Sequence, residues 1–230
     1  MFRTITSLSH WHALRTHFLA QINWQQSRRE GKSLDLDGPI PWWSYSCTSF
    51  LDQVVPTTSS VLEIGGGAST AWWASRGNSV TTLETDSHWA SVQRQANQQY
   101  ASRTEVQEIP DLNPSTLIPL LEGKSFDVVV NDGSGNRSDL ATVLASALSI
   151  DGLFIWDNSD RMEYAKGMQD LISAGFKPLH FFGLSPISAY ASKTTIFSKH
   201  GYELKGRLAQ FPEIDYLLFF TGSTYGLIRT

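Results

Sequence analysis

From residue 60 onward the chain repeats one pattern. A short apolar run is followed by a polar or glycine turn, then by a stretch with apolar residues three and four apart. Residues 60–64, 79–84, 105–109, 126–132 and 152–157 read as strands. Residues 69–76, 87–100, 115–121, 139–148 and 162–174 read as the helices between them. Strands alternating with helices imply parallel βαβ units with right-handed crossovers and helices on both faces of one sheet. The last two runs, 177–182 and 194–198, have about a dozen residues and no helix between them, which predicts an antiparallel hairpin at the sheet edge. The expected fold is therefore α/β: a Rossmann-like, doubly wound sheet of seven strands, mostly parallel, with an antiparallel terminal hairpin. Ligands of such sheets lie outside the carboxyl ends of the strands, at the switch point beside the first strand.

Two segments flank this region. Leu8, Trp11, Leu14, Phe18 and Ile22 predict an amphipathic helix over 7–26, and the charged stretch 27–41 reads as a linker. Residues 1–40 thus form an N-terminal helix and linker, 41–200 the main domain, and 201–230 a C-terminal extension. Trp42, Trp43 and Tyr45 follow the linker, and a short helix over 49–55 is expected to stop at Pro56. The extension carries Phe211, Tyr216, Leu217, Phe219 and Phe220. It is expected to pack on the domain, to cover an acceptor cleft or to form a homodimer contact.

Charge and composition narrow the partners. The net charge is −4 and the pI about 5.8. No basic stripe is present, which argues against a nucleic-acid partner. Cys47 is the one cysteine, so no intramolecular disulfide can form, as suits a reducing compartment. The first residues lack the apolar core of a secretory signal, and no run approaches the ~20 residues of a membrane span. The expected location is the cytoplasm.

The glycine loop after the first strand carries the most information. It reads Glu63-Ile64-Gly65-Gly66-Gly67-Ala68-Ser69-Thr70. Gly65, Gly66 and Gly67 allow a sharp turn and close approach of a ligand, and Ser69 is a favourable cap for the next helix. A helix start of this kind suits a dinucleotide pyrophosphate or the aminoacyl end of S-adenosylmethionine. A dinucleotide fingerprint needs Gly or Ala where Thr70 stands. Glu63 at the strand end would repel a pyrophosphate and attract an ammonium. About 20 residues further on, Glu84 ends the second strand, where an acid accepts hydrogen bonds from ribose hydroxyls. Asp86 beside it suits a helix start. Asp111, after the third strand, is a candidate for an adenine amino group, although Pro110-Asp111 is also ordinary turn chemistry.

Two more acids reach the same edge. The fourth strand ends Asn131-Asp132-Gly133 with Arg137 beyond, and the fifth ends Asp157-Asn158-Ser159-Asp160-Arg161. In one reading Asp132 orients the cofactor or acts as base on a hydroxyl acceptor, while Asp157 and Arg161 shape the acceptor pocket. In another, Asp132, Asp157 and Asn158 are hard oxygen ligands for a divalent metal. That triad is similar to the one in catechol-type O-methyltransferases. Arg137 and Arg161 argue against the metal, because they can neutralise the same carboxylates. An Arg–Asp network that merely caps the strand ends is the third reading.

Taken together, Pro41–Tyr45, Glu63–Thr70, Glu84 with Trp89, Asp132-Gly133 with Arg137, Asp157–Arg161 with Tyr164, and Thr194–Phe197 resemble class I S-adenosylmethionine-dependent methyltransferases. They are most similar to a bacterial group with PWWxY, ExGxGxST and DNSDR motifs. The resemblance implies S-adenosylmethionine as cofactor and methyl transfer to a small-molecule or sugar-type acceptor. It implies no particular acceptor. An NAD(P)-dependent oxidoreductase and a non-catalytic nucleoside-binding module on the same fold are the alternatives.

Overall fold

The computed structural model describes residues 23–34 and 38–200. In chain order the elements are α1 (Trp24–Glu30), α2 (Tyr45–Val54), β1 (Ser60–Ile64), α3 (Ala68–Arg76), β2 (Ser79–Glu84), α4 (Ser87–Ala96), β3 (Thr104–Glu108), α5 (Pro114–Leu121), β4 (Phe126–Asn131), α6 (Arg137–Ser146), β5 (Leu148–Trp156), α7 (Ala165–Ser173), β6 (Lys177–Leu184) and β7 (Ala191–Ser198). The seven strands form one sheet in the order β3-β2-β1-β4-β5-β7-β6. The first five are parallel. β7 runs antiparallel to both β5 and β6, as the sequence predicts.

Alternation along the strands explains how the sheet is covered twice. Leu62, Ile64, Val129, Phe154, Trp156 and Phe197 point to one side, where Leu117 and Leu121 of α5, Leu140 and Leu144 of α6 and Leu171 of α7 meet them. Val61, Val128, Val130, Ile155 and Ile196 point to the other, against Leu51 of α2 and Trp72 and Trp73 of α3. A central strand buried on both faces needs apolar residues at every position, which is why β4 reads Val128-Val129-Val130. Trp72 and Trp73 are both core residues.

The helices start and stop on local chemistry. Asp86 accepts the Trp89 amide at the start of α4, at 2.8 Å. Asn113 accepts the Thr116 amide at the start of α5, with Pro114 in the first turn. Gly77 ends α3 in the left-handed region, φ +106°.

Several boundaries differ from the sequence reading; the helix expected over 49–55, for one, begins at Tyr45. α1 lies within the stretch read in part as linker. Its sequence WQQSRRE has no apolar period, and it is fixed instead by Ser27 Oγ, which donates to Leu34 O at 2.6 Å. Residues 7–22 of the amphipathic helix and the whole extension 201–230 lie outside the described residues. β5 begins at Leu148, earlier than expected, and its pairing with β4 shifts register between Phe126 and Val128. The terminal hairpin has longer strands, so its loop shortens to residues 185–190. Among the described residues no helix is long and apolar enough to cross a membrane.

Candidate functional site

β1 and β4 are neighbours in space, yet β1 leads to β2 on one side and β4 to β5 on the other. The connections therefore diverge beyond their carboxyl ends and leave a crevice there. Its floor is two loops packed backbone to backbone. Gly65 has φ +78°, and a Cβ added to it would stand 2.9 Å from Gly133 Cα. A Cβ on Gly133 would stand 2.7 Å from Ile64 Cγ2. Only glycines permit this approach. The resulting cleft has a volume of about 490 Å³, within the range of small-molecule sites. The loop Gly65–Ser69 lines it along one side. Glu84, Trp89, Leu112, Asp132, Gly133 and Ser134 stand around it, and Ser33, Trp42 and Ile187 complete the wall. Thus Gly65, Gly66, Gly67, Ser69, Glu84 and Asp132 meet in one cavity.

Glu63 stands beneath the loop and does not line the cleft. It is fully buried, and its Oε2 accepts Thr70 Oγ1 at 2.7 Å and Thr82 Oγ1 at 3.4 Å. Thr70 Oγ1 in turn accepts the Gly67 amide at 3.3 Å. The strand-end acid therefore braces the glycine turn through Thr70. Its Oε1 has no hydrogen-bond partner among the described residues. Burial pushes its carboxyl up to about 7, against the opposing hydrogen bonds of Thr70 and Ser69. The helix cap is Gly67, two residues before the Ser69 that the sequence suggests.

Glu84 is held in place by its own turn. Oε1 accepts the amides of Thr85 at 2.9 Å and Asp86 at 3.1 Å. Oε2 has no partner among the described residues and is left for the cleft. Trp89 Nε1 donates to Gly66 O at 2.9 Å, so its ring bridges from α4 to the glycine loop. Asp111 is not in the cleft wall: its carboxylate accepts the Thr116 hydroxyl, and the neighbouring Leu112 lines the cavity instead.

At the end of β4, Asp132 is bound on both oxygens. Oδ1 pairs with Arg137 Nη2 at 2.9 Å, and Oδ2 accepts Trp43 Nε1 at 3.0 Å. Burial raises its carboxyl while the Arg137 guanidinium opposes that rise. Asp157 is buried and does not line the cleft. Its Oδ1 accepts the Thr194 hydroxyl at 2.6 Å. Burial, followed by the charge of Asp132, pushes its carboxyl up to about 8. Arg161 is half exposed, beside Glu163 and the ring of Tyr164, outside the cleft wall. Asn158 adopts a left-handed turn, φ +54°. Of the triad Asp132, Asp157 and Asn158, Asp132 is paired with Arg137 and Asp157 accepts the Thr194 hydroxyl. Among the described residues no group of three or more His, Cys, Asp or Glu side chains could hold a metal ion.

Several residues of the wall are silent in the sequence. Trp42 is exposed to the cleft while Trp43 is fully buried. Trp42 Nε1 donates to Ser188 Oγ at 3.0 Å, and Trp24 Nε1 donates to Ser188 O at 3.0 Å. These bonds tie the β6–β7 loop over the cavity. Ile187, in that loop, has φ +67°. A β-branched residue there is a true outlier, and outliers of this kind gather at ligand sites. The Pro41-Trp42-Trp43 segment was the one available signal. Nothing local marks Ser33 or Ile187.

No protein-family model matches this chain, and no curated protein sequence does. Solved structures do match it in fold. An O-methyltransferase from Bacillus cereus in complex with SAH is 18% identical, with a TM-score of 0.55, over 83% of this chain and 96% of its own. The O-methyltransferase TomG from Streptomyces achromogenes, in complex with SAM, is 16% identical with a TM-score of 0.53, over 84% and 96%. Precorrin 8w decarboxylase from Methanobacterium thermoautotrophicum is 16% identical with a TM-score of 0.55, over 74% and 97%. The chain therefore has the Rossmann-like fold of these proteins. The third neighbour shows that one fold serves more than one reaction.

Proposed function

We propose that the protein is an S-adenosylmethionine-dependent methyltransferase acting on a small-molecule acceptor. One observation carries this reading: among the described residues, the charged side chains in the cleft wall are two acids, Glu84 and Asp132, with a third, Glu63, beneath the loop. A pyrophosphate would meet acids and no cation there. A ligand with an ammonium and a sulfonium at one end and a neutral nucleoside at the other is electrostatically matched. The occupation of the third fingerprint position by the buried, hydrogen-bonded Thr70 also counts against a dinucleotide, so the oxidoreductase alternative is not favoured.

When bound, S-adenosylmethionine supplies an electrophilic methyl group on sulfur. The residues of this chain bind and orient. Glu84 Oε2 accepts from a ribose diol, Trp89 and Leu112 flank the base, and the Gly65–Ser69 backbone passes along the aminoacyl end. The tethered loop with Trp42 and Ile187 excludes water from the acceptor side. Asp132, restrained by Arg137 and Trp43, is one of the two acids of the cleft wall and would take up a hydroxyl proton where the acceptor has one.

Isothermal titration tests this reading. S-adenosylhomocysteine is expected to bind and NADH not to, and Glu84→Ala is expected to weaken binding more than tenfold. Affinity unchanged by that substitution removes the ribose assignment. A broad acceptor screen without turnover, despite cofactor binding, favours the non-catalytic module.

A further inference from the structure

Arg137 makes four polar contacts at the carboxyl edge of the sheet. Its Nε donates to Gly133 O at 2.8 Å, Nη1 to Asp157 O at 2.8 Å and Nη2 to Asp132 O at 3.0 Å. Nη2 also pairs with Asp132 Oδ1 at 2.9 Å. The ring of Tyr164 covers it, with the guanidinium carbon 5.3 Å from the ring centroid. The side chain is only 9% exposed. Three carbonyl oxygens and one carboxylate around a buried positive charge form the oxygen-rich shell that a hard divalent cation takes. The planar fork of a guanidinium satisfies it with four directed hydrogen bonds. These contacts tie the end of β4, which brings Asp132 to the site, to the end of β5.

We propose that Arg137 is the resident cation of this site, a positioning residue that fixes Asp132 and both strand ends and leaves the site independent of divalent metal. The inference rests on the cleft reading above, and its test separates the two. Mn²⁺ is titrated into the full chain and free Mn²⁺ is followed by electron paramagnetic resonance. The wild-type chain is expected to show no site tighter than about 1 mM. Arg137→Ala is expected to gain a site that a further Asp132→Asn removes. In parallel, S-adenosylhomocysteine affinity is measured with EDTA and with Mg²⁺. It is expected to be equal in both for the wild type, to fall at least tenfold in Arg137→Ala, and to recover partly in Arg137→Lys or with millimolar guanidinium. A stoichiometric wild-type Mn²⁺ site that Asp132→Asn abolishes overturns the proposal, as does undiminished affinity in Arg137→Ala. Should Arg137→Ala not fold, the wild-type and Asp132→Asn titrations decide. Absence of S-adenosylhomocysteine binding by the wild type would count against the cleft reading, while the Mn²⁺ titration would still judge Arg137.

Discussion

Gly65 and Gly67 lie two residues apart in one loop, yet a methyl group added to each meets different surroundings. At Gly65 it faces a left-handed backbone, φ +78°, and Gly133 Cα at 2.9 Å. At Gly67 the backbone is extended, φ −176°, and nothing lies within 4 Å. Gly65→Ala is expected to cost at least about 2 kcal/mol, combining the left-handed penalty with a forced backbone shift. Gly67→Ala should stay within about 1 kcal/mol. Urea denaturation of the pair checks this, and equal midpoints would contradict the packed-loop account. Beneath the loop, Glu63 moves from an ordinary 4.5 to about 7 on folding. Between those values the folded chain keeps a proton that the unfolded chain has released. Its contribution is therefore complete below about pH 4.5 and is lost as pH rises through 7. Glu63→Gln, which cannot ionise, is expected to flatten the fall of Tm across that window. An unchanged slope would mean that Glu63 is not buried as described.

At the scale of elements, α6 and α7 approach closely because Gly167 has no side chain. A Cβ there would stand 2.6 Å from Ser138 Cα and 2.6 Å from Trp156 Cη2. Helix propensity favours Ala over Gly by about 1 kcal/mol, but overpacking against backbone costs about 1–3 kcal/mol. Gly167→Ala is therefore expected to destabilise the protein, as read by chemical denaturation, and a stabilised variant would show that the helices can separate freely. The same local logic explains what could be read from the chain. β1 and β4 announce themselves as largely apolar runs because each is buried on both faces. α1 does not, since WQQSRRE is anchored by Ser27 and Leu34 and not by an apolar stripe. β5 extends to Leu148 because it pairs across a register shift, which leaves no mark in a two-residue period.

For the whole molecule, the parts of the site at a strand end were legible: the glycine loop and Asp132 begin one residue beyond a strand, and Glu84 is the last residue of one. The rest depends on contacts across the chain. Trp43 reaches Asp132 from 89 positions away and Trp42 reaches Ser188 from 146, and no local pattern encodes such pairs. That the cleft turns its acids toward a ligand depends on the assembled sheet, since Asp157 and Arg161 share the same strand end yet stay out of the wall. The most direct test of the central claim is diffraction from a crystal soaked in S-adenosylhomocysteine. The account predicts density along Gly65–Ser69, with the ribose hydroxyls within hydrogen-bond distance of the Glu84 carboxylate. A nucleoside bound elsewhere, or a crevice filled by the protein's own side chains, would contradict it.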